Sequence, residues 1–163
     1  MLLAQEGHLL ITASTKGKLQ QLTDLARQSG NHICAVNPAS PLLSELTVAE
    51  NIALPGMYHF NQTLAQVMSR LKSAVEALAL RPLLEARPAN LSRRDGLKVQ
   101  VLRCLVQGSS IVLLTAPRPD DAALVLSALD ALDKPMRLWA SCLERYAAQF
   151  KDLNLKTLAA TET

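Results

Sequence analysis

His8–Leu19 reads HLLITASTKGKL, and the fold follows from how that stretch divides. His8–Ala13 is a compact apolar run of the length of one strand. Small and polar residues follow. From Gly17 to Ser29 the apolar positions Leu19, Leu22, Leu25 and Ala26 recur at helical spacing, and Gly30 is a natural stop. A buried strand feeding straight into an amphipathic helix is the repeating unit of a parallel sheet.

The unit recurs along the chain. Asn31–Val36 (NHICAV) reads as a second strand, and Asn37–Leu46, rich in Pro and Ser, as a loop. Thr47 with Glu50 three residues on forms a capping box for a short helix through Leu54, which Pro55-Gly56 is expected to end. Asn61–Leu80 is the clearest helix, with Leu64, Val67, Met68, Leu71, Val75 and Leu78 on one stripe. Ser92 caps a helix running to Gln107, and Gly108 closes it. Ser110–Leu114 (SIVLL) is continuously apolar, as a strand covered on both faces must be. Asp120 or Asp121 is expected to cap a helix through Leu132. Arg137–Ser141, with Trp139 inside it, reads as a strand, Glu144–Phe150 as a short helix and Leu153–Leu158 as a final strand or docked tail. Some seventy residues of loop and helix separate strand two from the Ser110 strand. That is long for one crossover and reads as a helical insert.

Composition agrees. The 163 residues are 49% hydrophobic and 19% charged, with a formal net charge of +3. A chain of this size fits one domain with a real core, which excludes an extended disordered chain. The basic excess is too small to imply nucleic acid, and 1 Trp, 2 Tyr and 2 Phe are few for base stacking, so no nucleic acid is expected. Cys34, Cys104 and Cys142 are odd in number and widely spaced, with no CxxC pair. Neither a zinc site nor a disulfide framework is indicated. Each reads as buried filler suited to a reducing compartment. The three histidines, His8, His32 and His59, pair with nothing that would make a metal site. Gln5, Glu6 and Gly7 interrupt the apolar start, a poor match to a signal peptide, and no apolar run approaches the ~18 residues of a membrane span. The chain reads as cytoplasmic.

Three separated segments, in order, resemble one family. The run Thr12-Ala13-Ser14-Thr15-Lys16-Gly17-Lys18 between strand and helix resembles a phosphate loop, GxxxxGK[ST], with its Gly-Lys intact. Leu42–Pro55, with Leu46-Thr47-Val48-Ala49-Glu50-Asn51, is similar to the loop and helix after the second core strand of ABC-type transport ATPases. Leu91-Ser92-Arg93-Arg94-Asp95, continued by Lys98, Val99, Arg103 and Leu105, resembles that family's LSGGQ signature and the helix after it. Ile111–Leu114 then sits where the Walker B strand belongs. The resemblance covers about two-thirds of the chain. It implies an α/β fold: a RecA-like P-loop NTPase core with a mainly parallel sheet (1–36 and 108–163) and an inserted helical subdomain (about 37–107). The N-terminal antiparallel β-subdomain would be largely missing.

The resemblance fails where the chemistry happens. The first glycine of the phosphate loop is Thr12, and Leu19 follows Lys18 where a hydroxyl should hold Mg²⁺. The Walker B Asp-Glu reads Thr115-Ala116. Asn37-Pro38 stands where a phosphate-sensing Gln belongs, and no histidine lies near Ala140–Cys142. Arg93 and Arg94 replace the signature glycines, and they read as an exposed first turn offset by Asp95.

A catalytically degraded ATPase subunit is therefore expected, with no catalytic residue, no metal and no cofactor. Weak binding of ATP or another anion at Lys16 and Lys18 is left open. As the resemblance has it, the partner would be a membrane permease, a second ABC-type ATPase subunit or both, with a homodimer as a further arrangement, reached at the inner face of the membrane. Leu42, Leu43, Thr47, Val48 and Asn51 would dock that partner, or simply pack the insert. Two other functions compete: an ATP-binding subunit contributing to a composite site, and a stand-alone anion-binding module built on Lys16, Lys18, Arg93 and Arg94.

Overall fold

A computed structural model of the protein describes residues 6–28 and 32–159. Five strands, β1 (Leu9–Ala13), β2 (Ile33–Val36), β3 (Ile111–Thr115), β4 (Arg137–Leu143) and β5 (Lys156–Ala159), form one sheet in the order β2-β3-β4-β1-β5. Every pairing is parallel, with Leu10 opposite Ala140 and Ile33 opposite Ile111. Parallel neighbours need long crossovers, and helices supply them. Those helices are α1 (Lys16–Gln28), α2 (Val48–Phe60), α3 (Leu64–Arg70), α4 (Lys72–Ala77), α5 (Arg93–Gln107) and α6 (Pro119–Asp130). The expected stop of α1 at Gly30 lies outside the described residues.

The pleat sorts the strand side chains into two layers. Leu9, Ile11, Ile33, Ile111, Leu113 and Trp139 share one face, against which Leu22 of α1 packs. Leu10, Val36, Val112, Leu114, Leu138 and Ala140 share the other with the buried faces of α2, α5 and α6. Between β2 and β3 the described chain makes helices and 3₁₀ turns and no strand.

Several boundaries differ from the sequence reading. Helix α2 does not stop at Pro55-Gly56 but runs through both to Asn61, whose left-handed backbone (φ 50°) turns its N–H back to the Gly56 carbonyl. A helical proline costs about 3 kcal/mol, and burial of Val48, Ala49, Ile52, Ala53 and Gly56 holds it in place. Gly56 is a packing residue: a Cβ there would lie 2.8 Å from Val67 Cγ2 and 3.1 Å from Val106 Cγ1. The single helix expected over Asn61–Leu80 is two. Thr63 and Gln66 form a capping box that starts α3, and Leu71 (φ −92°, ψ 5°) separates α3 from α4 while staying buried. Neither Asp120 nor Asp121 is the N-cap of α6. Arg118 occupies that position, and Asp121 sits in the first turn, accepting the Arg118 N–H at 3.0 Å. Glu144–Phe150 is a 3₁₀ segment anchored by buried Phe150.

The cysteine reading is overturned for two of the three. Cys34 of β2 and Cys104 of α5 are disulfide-bonded, with Cα atoms 5.4 Å apart and 70 positions between them in sequence. Spacing could not show this, because the two meet only when α5 lies on β2. Only Cys142 is a free, buried thiol, pushed up in pKa by that burial.

Closing a loop of that length constrains the unfolded chain, a gain of about 4 kcal/mol. Reduction, or Cys34→Ser with Cys104→Ser, should lower the thermal midpoint by about 12 °C. Unfolding followed with and without a phosphine reductant reads the shift. An unchanged midpoint, with three titratable thiols before reduction, would contradict the bond.

Candidate functional site

In an open parallel sheet, ligands sit beyond the carboxyl ends of the strands. Here that edge holds a cleft of about 940 Å³. Val36 and Asn37 after β2, Thr115 and Ala116 at the end of β3, and Ser141–Leu143 of β4 form its floor. Its walls come from the first turns of α1, from α5 and from the 3₁₀ segment after β4.

The phosphate-loop residues part company. Thr12 is inside β1, 4% exposed and paired in register with Cys142 and Ala159. Only Ser14 and Thr15 connect β1 to α1. The Thr15 hydroxyl accepts the Lys18 N–H at 3.3 Å, so a side chain takes the amide that an anion would otherwise claim. Gly17 lies within α1, and a Cβ there would meet only Thr15 Oγ1 at 3.9 Å. Lys16 lines the cleft, and Lys18 does not.

The end of β3 faces the cleft. Thr115 Oγ1 donates to the Val36 carbonyl at 3.3 Å. Ala116 turns left-handed (φ 46°) and donates its N–H to the Ser141 carbonyl at 3.0 Å. Among the described residues no aspartate or glutamate lines the cleft, whereas Lys16, Arg103, Arg118 and Arg145 all do. Among the described residues no cluster of three or more His, Cys, Asp or Glu could hold a metal. No helix there is long and apolar enough to cross a membrane.

The signature residues lie outside the cleft. Ser92 caps α5, accepting the Asp95 N–H at 3.1 Å and donating its hydroxyl to Asp95 Oδ2 at 2.6 Å. Leu91 packs partly buried against the core and Arg94 is exposed. Arg93 is exposed in that first turn too, but Asp121 rather than Asp95 answers its charge. Its Nε and Nη2 reach both oxygens of Asp121 at 3.0 and 2.7 Å, a bidentate pair joining α5 to α6. Burial pushes the Asp121 carboxyl up. The Arg93 hydrogen bonds, the Arg118 N–H and both guanidinium charges outweigh that, leaving it below the usual carboxylate range.

The docking candidates are mostly internal. Asn51 is fully buried, accepting the Leu43 N–H and donating to the carbonyls of Leu43, Leu46 and Thr47. Val48 is fully buried, Thr47 caps α2 and Leu42 packs against the core. Of the five only Leu43, 50% exposed, presents an apolar surface. Sequence reasoning missed Arg103 as a site residue. The signal was there: beyond the charged first turns of α5, Gln100, Arg103 and Gln107 are a polar stripe at helical spacing among apolar residues, and all three face the cleft.

No family model matches the chain. The macrolide export ATP-binding/permease protein MacB of Aggregatibacter actinomycetemcomitans is 35% identical over 97 residues, which are 60% of this chain and 14% of that protein. The protein of the same name from Mannheimia succiniciproducens is 32% identical over a stretch of equal length and coverage. The chain thus spans about 14% of the length of these curated relatives. Among solved structures, a metal-chelate type ABC transporter in an inward-facing conformation superposes with a TM-score of 0.63 at 18% identity, over 85% of this chain and 64% of that one. The protein cbiO1 from Clostridium perfringens, part of the ABC transporter complex cbiONQ, does so at 0.62 and 12%, over 83% and 67%.

The Arg93–Asp121 pair makes its own prediction. A carboxylate whose folded pKa is depressed stabilises the fold above its unfolded pKa of about 3.9, and that contribution is lost as pH falls through the folded value. Arg93 is 43% exposed, so screening limits the pair, and Asp121→Asn should cost about 2 kcal/mol at neutral pH. The gap between variant and parent in urea unfolding should close as the pH is taken below 3.

Proposed function

We propose that this chain, which is 35% identical over 97 residues to an export ATP-binding/permease protein and shares the fold of ABC transporter proteins, is a catalytically degraded ABC-type ATPase. It would serve a membrane transport complex as a structural or regulatory subunit. The observation that carries this reading is the end of β3, where Thr115 and Ala116 face the cleft in place of carboxylates for Mg²⁺ and the attacking water. A missing general base costs 10²–10⁴-fold, and lost metal positioning removes several kcal/mol more of charge stabilisation. The short connection between β1 and α1 adds to this. Two residues leave little backbone to wrap a phosphate.

The partner in this reading is a permease or a second ATPase subunit at the cytoplasmic face. Leu43 is the docking residue that remains outside. Asn51 grips the backbone of Leu43 from both sides, which fixes the presentation of that side chain.

Purified protein, alone and with a candidate permease, should release no phosphate from Mg-ATP above background in a colorimetric assay. Robust turnover that disappears with Lys18→Ala would overturn the proposal.

A further inference from the structure

The cleft is electrically one-sided. Lys16, Arg103, Arg118 and Arg145 line it, and among the described residues no acidic side chain does. Of the four, Arg118 has a counter-charge among the described residues, its Nε 3.6 Å from Asp121 Oδ2. Arg145 stacks on the Tyr146 ring at 5.0 Å, which orients it without neutralising it.

Arg103 is the most telling of the four. It stands on α5 between buried Leu102 and Cys104 and is itself only partly exposed. Among the described residues no hydrogen bond or ion pair engages its guanidinium. A half-buried cation without a partner is costly, and burial accordingly pulls its pKa down. Arg93 on the same helix shows the contrast, since the chain supplies it with Asp121.

We propose that this cleft binds a diphosphate group without a divalent cation, with Arg103 as its principal ligand and Lys16 and Arg145 completing the charge. The class of ligand follows from the chemistry. Three uncompensated cations match the three to four negative charges of a diphosphate better than one orthophosphate. A guanidinium fork meets two phosphoryl oxygens at once. Gln107 and Gln149 add amide groups along the same walls. The volume, about 940 Å³, lies within the usual range for small-molecule sites. The charge that a divalent cation would neutralise is met here by side-chain cations, and among the described residues the cleft offers no carboxylate to hold a metal. This inference does not rest on catalytic inactivity, which is read separately from Mg-ATP turnover.

The test is titration calorimetry of the full chain with sodium diphosphate, ADP and orthophosphate, in EDTA and then in Mg²⁺. Diphosphate should bind in EDTA, more weakly as ionic strength rises. Arg103→Gln should lower the affinity roughly 10- to 100-fold, Arg103→Lys by less, and Arg81→Gln, outside the cleft, not at all. Arg145→Gln, at an exposed position, should also weaken binding several-fold and serves if Arg103→Gln fails to fold. ADP at least as tight as diphosphate would assign the group to a nucleotide, and diphosphate tighter than ADP to the free anion; either upholds the site. Binding only with Mg²⁺, orthophosphate as tight as diphosphate, no binding at all, or indifference to both arginine substitutions would overturn it.

Discussion

Helix α5 cannot stand in water alone. Leu97, Val99, Val101, Leu102, Cys104 and Val106 are all buried, and together they occupy most of its circumference. Each such side chain returns about 1.5–3 kcal/mol only when covered. The cover comes from three directions: α2, α6 and strand β2. The helices between β2 and β3 are therefore fastened to the sheet through α5. Gly56 lets α2 come close enough for Val106 to reach it. The Cys34–Cys104 bond and the Arg93–Asp121 pair tie the same helix to β2 and α6. Beyond its exposed first turn, the polar positions Gln100, Arg103 and Gln107 fall on the side left open, which is the cleft.

How far the sequence could be read depends on whether its signals were local. Strand β3 and helix α5 were legible because a continuous apolar run and a Ser cap with a Gly stop act within a few residues. Pro55-Gly56 misled because proline and glycine are read as stops, while here tertiary burial overrides the first and close packing explains the second. The break at Leu71 was hidden by an apolar stripe that runs on through Val67, Leu71 and Val75 regardless. The disulfide joins residues seventy apart, so no local pattern could announce it.

The candidate site was legible in outline and misplaced in detail. Motif matching carries positions across without their surroundings. Thr12, Val48 and Asn51 read as site residues in the sequence, and all three are buried and spent on the fold. Arg93 reads as lost recognition in a motif but acts as a strut between two helices. Arg103 was visible as one of the matched positions, yet its importance lies in what surrounds it, namely the lack of any carboxylate nearby. A single sequence shows a charge and conceals whether that charge is answered.

The sign of the cleft is the last consequence of these substitutions. A phosphate loop recognises its ligand with backbone amides, which are fixed and need no side-chain ordering. Here the helix starts two residues after the strand, and Thr15 already occupies the Lys18 N–H. Recognition of an anion must pass to long side chains, which lose rotamer freedom on binding. Arg103 has less of that freedom to lose, because it stands between buried Leu102 and Cys104 and is itself only partly exposed. A helix fastened for reasons of packing thus holds one cation still at the edge of the sheet. Thr115 and Ala116, having no charge, leave it unanswered. With four cations along its lining and, among the described residues, no carboxylate, the cleft is a place where an anion rather than a cation would collect.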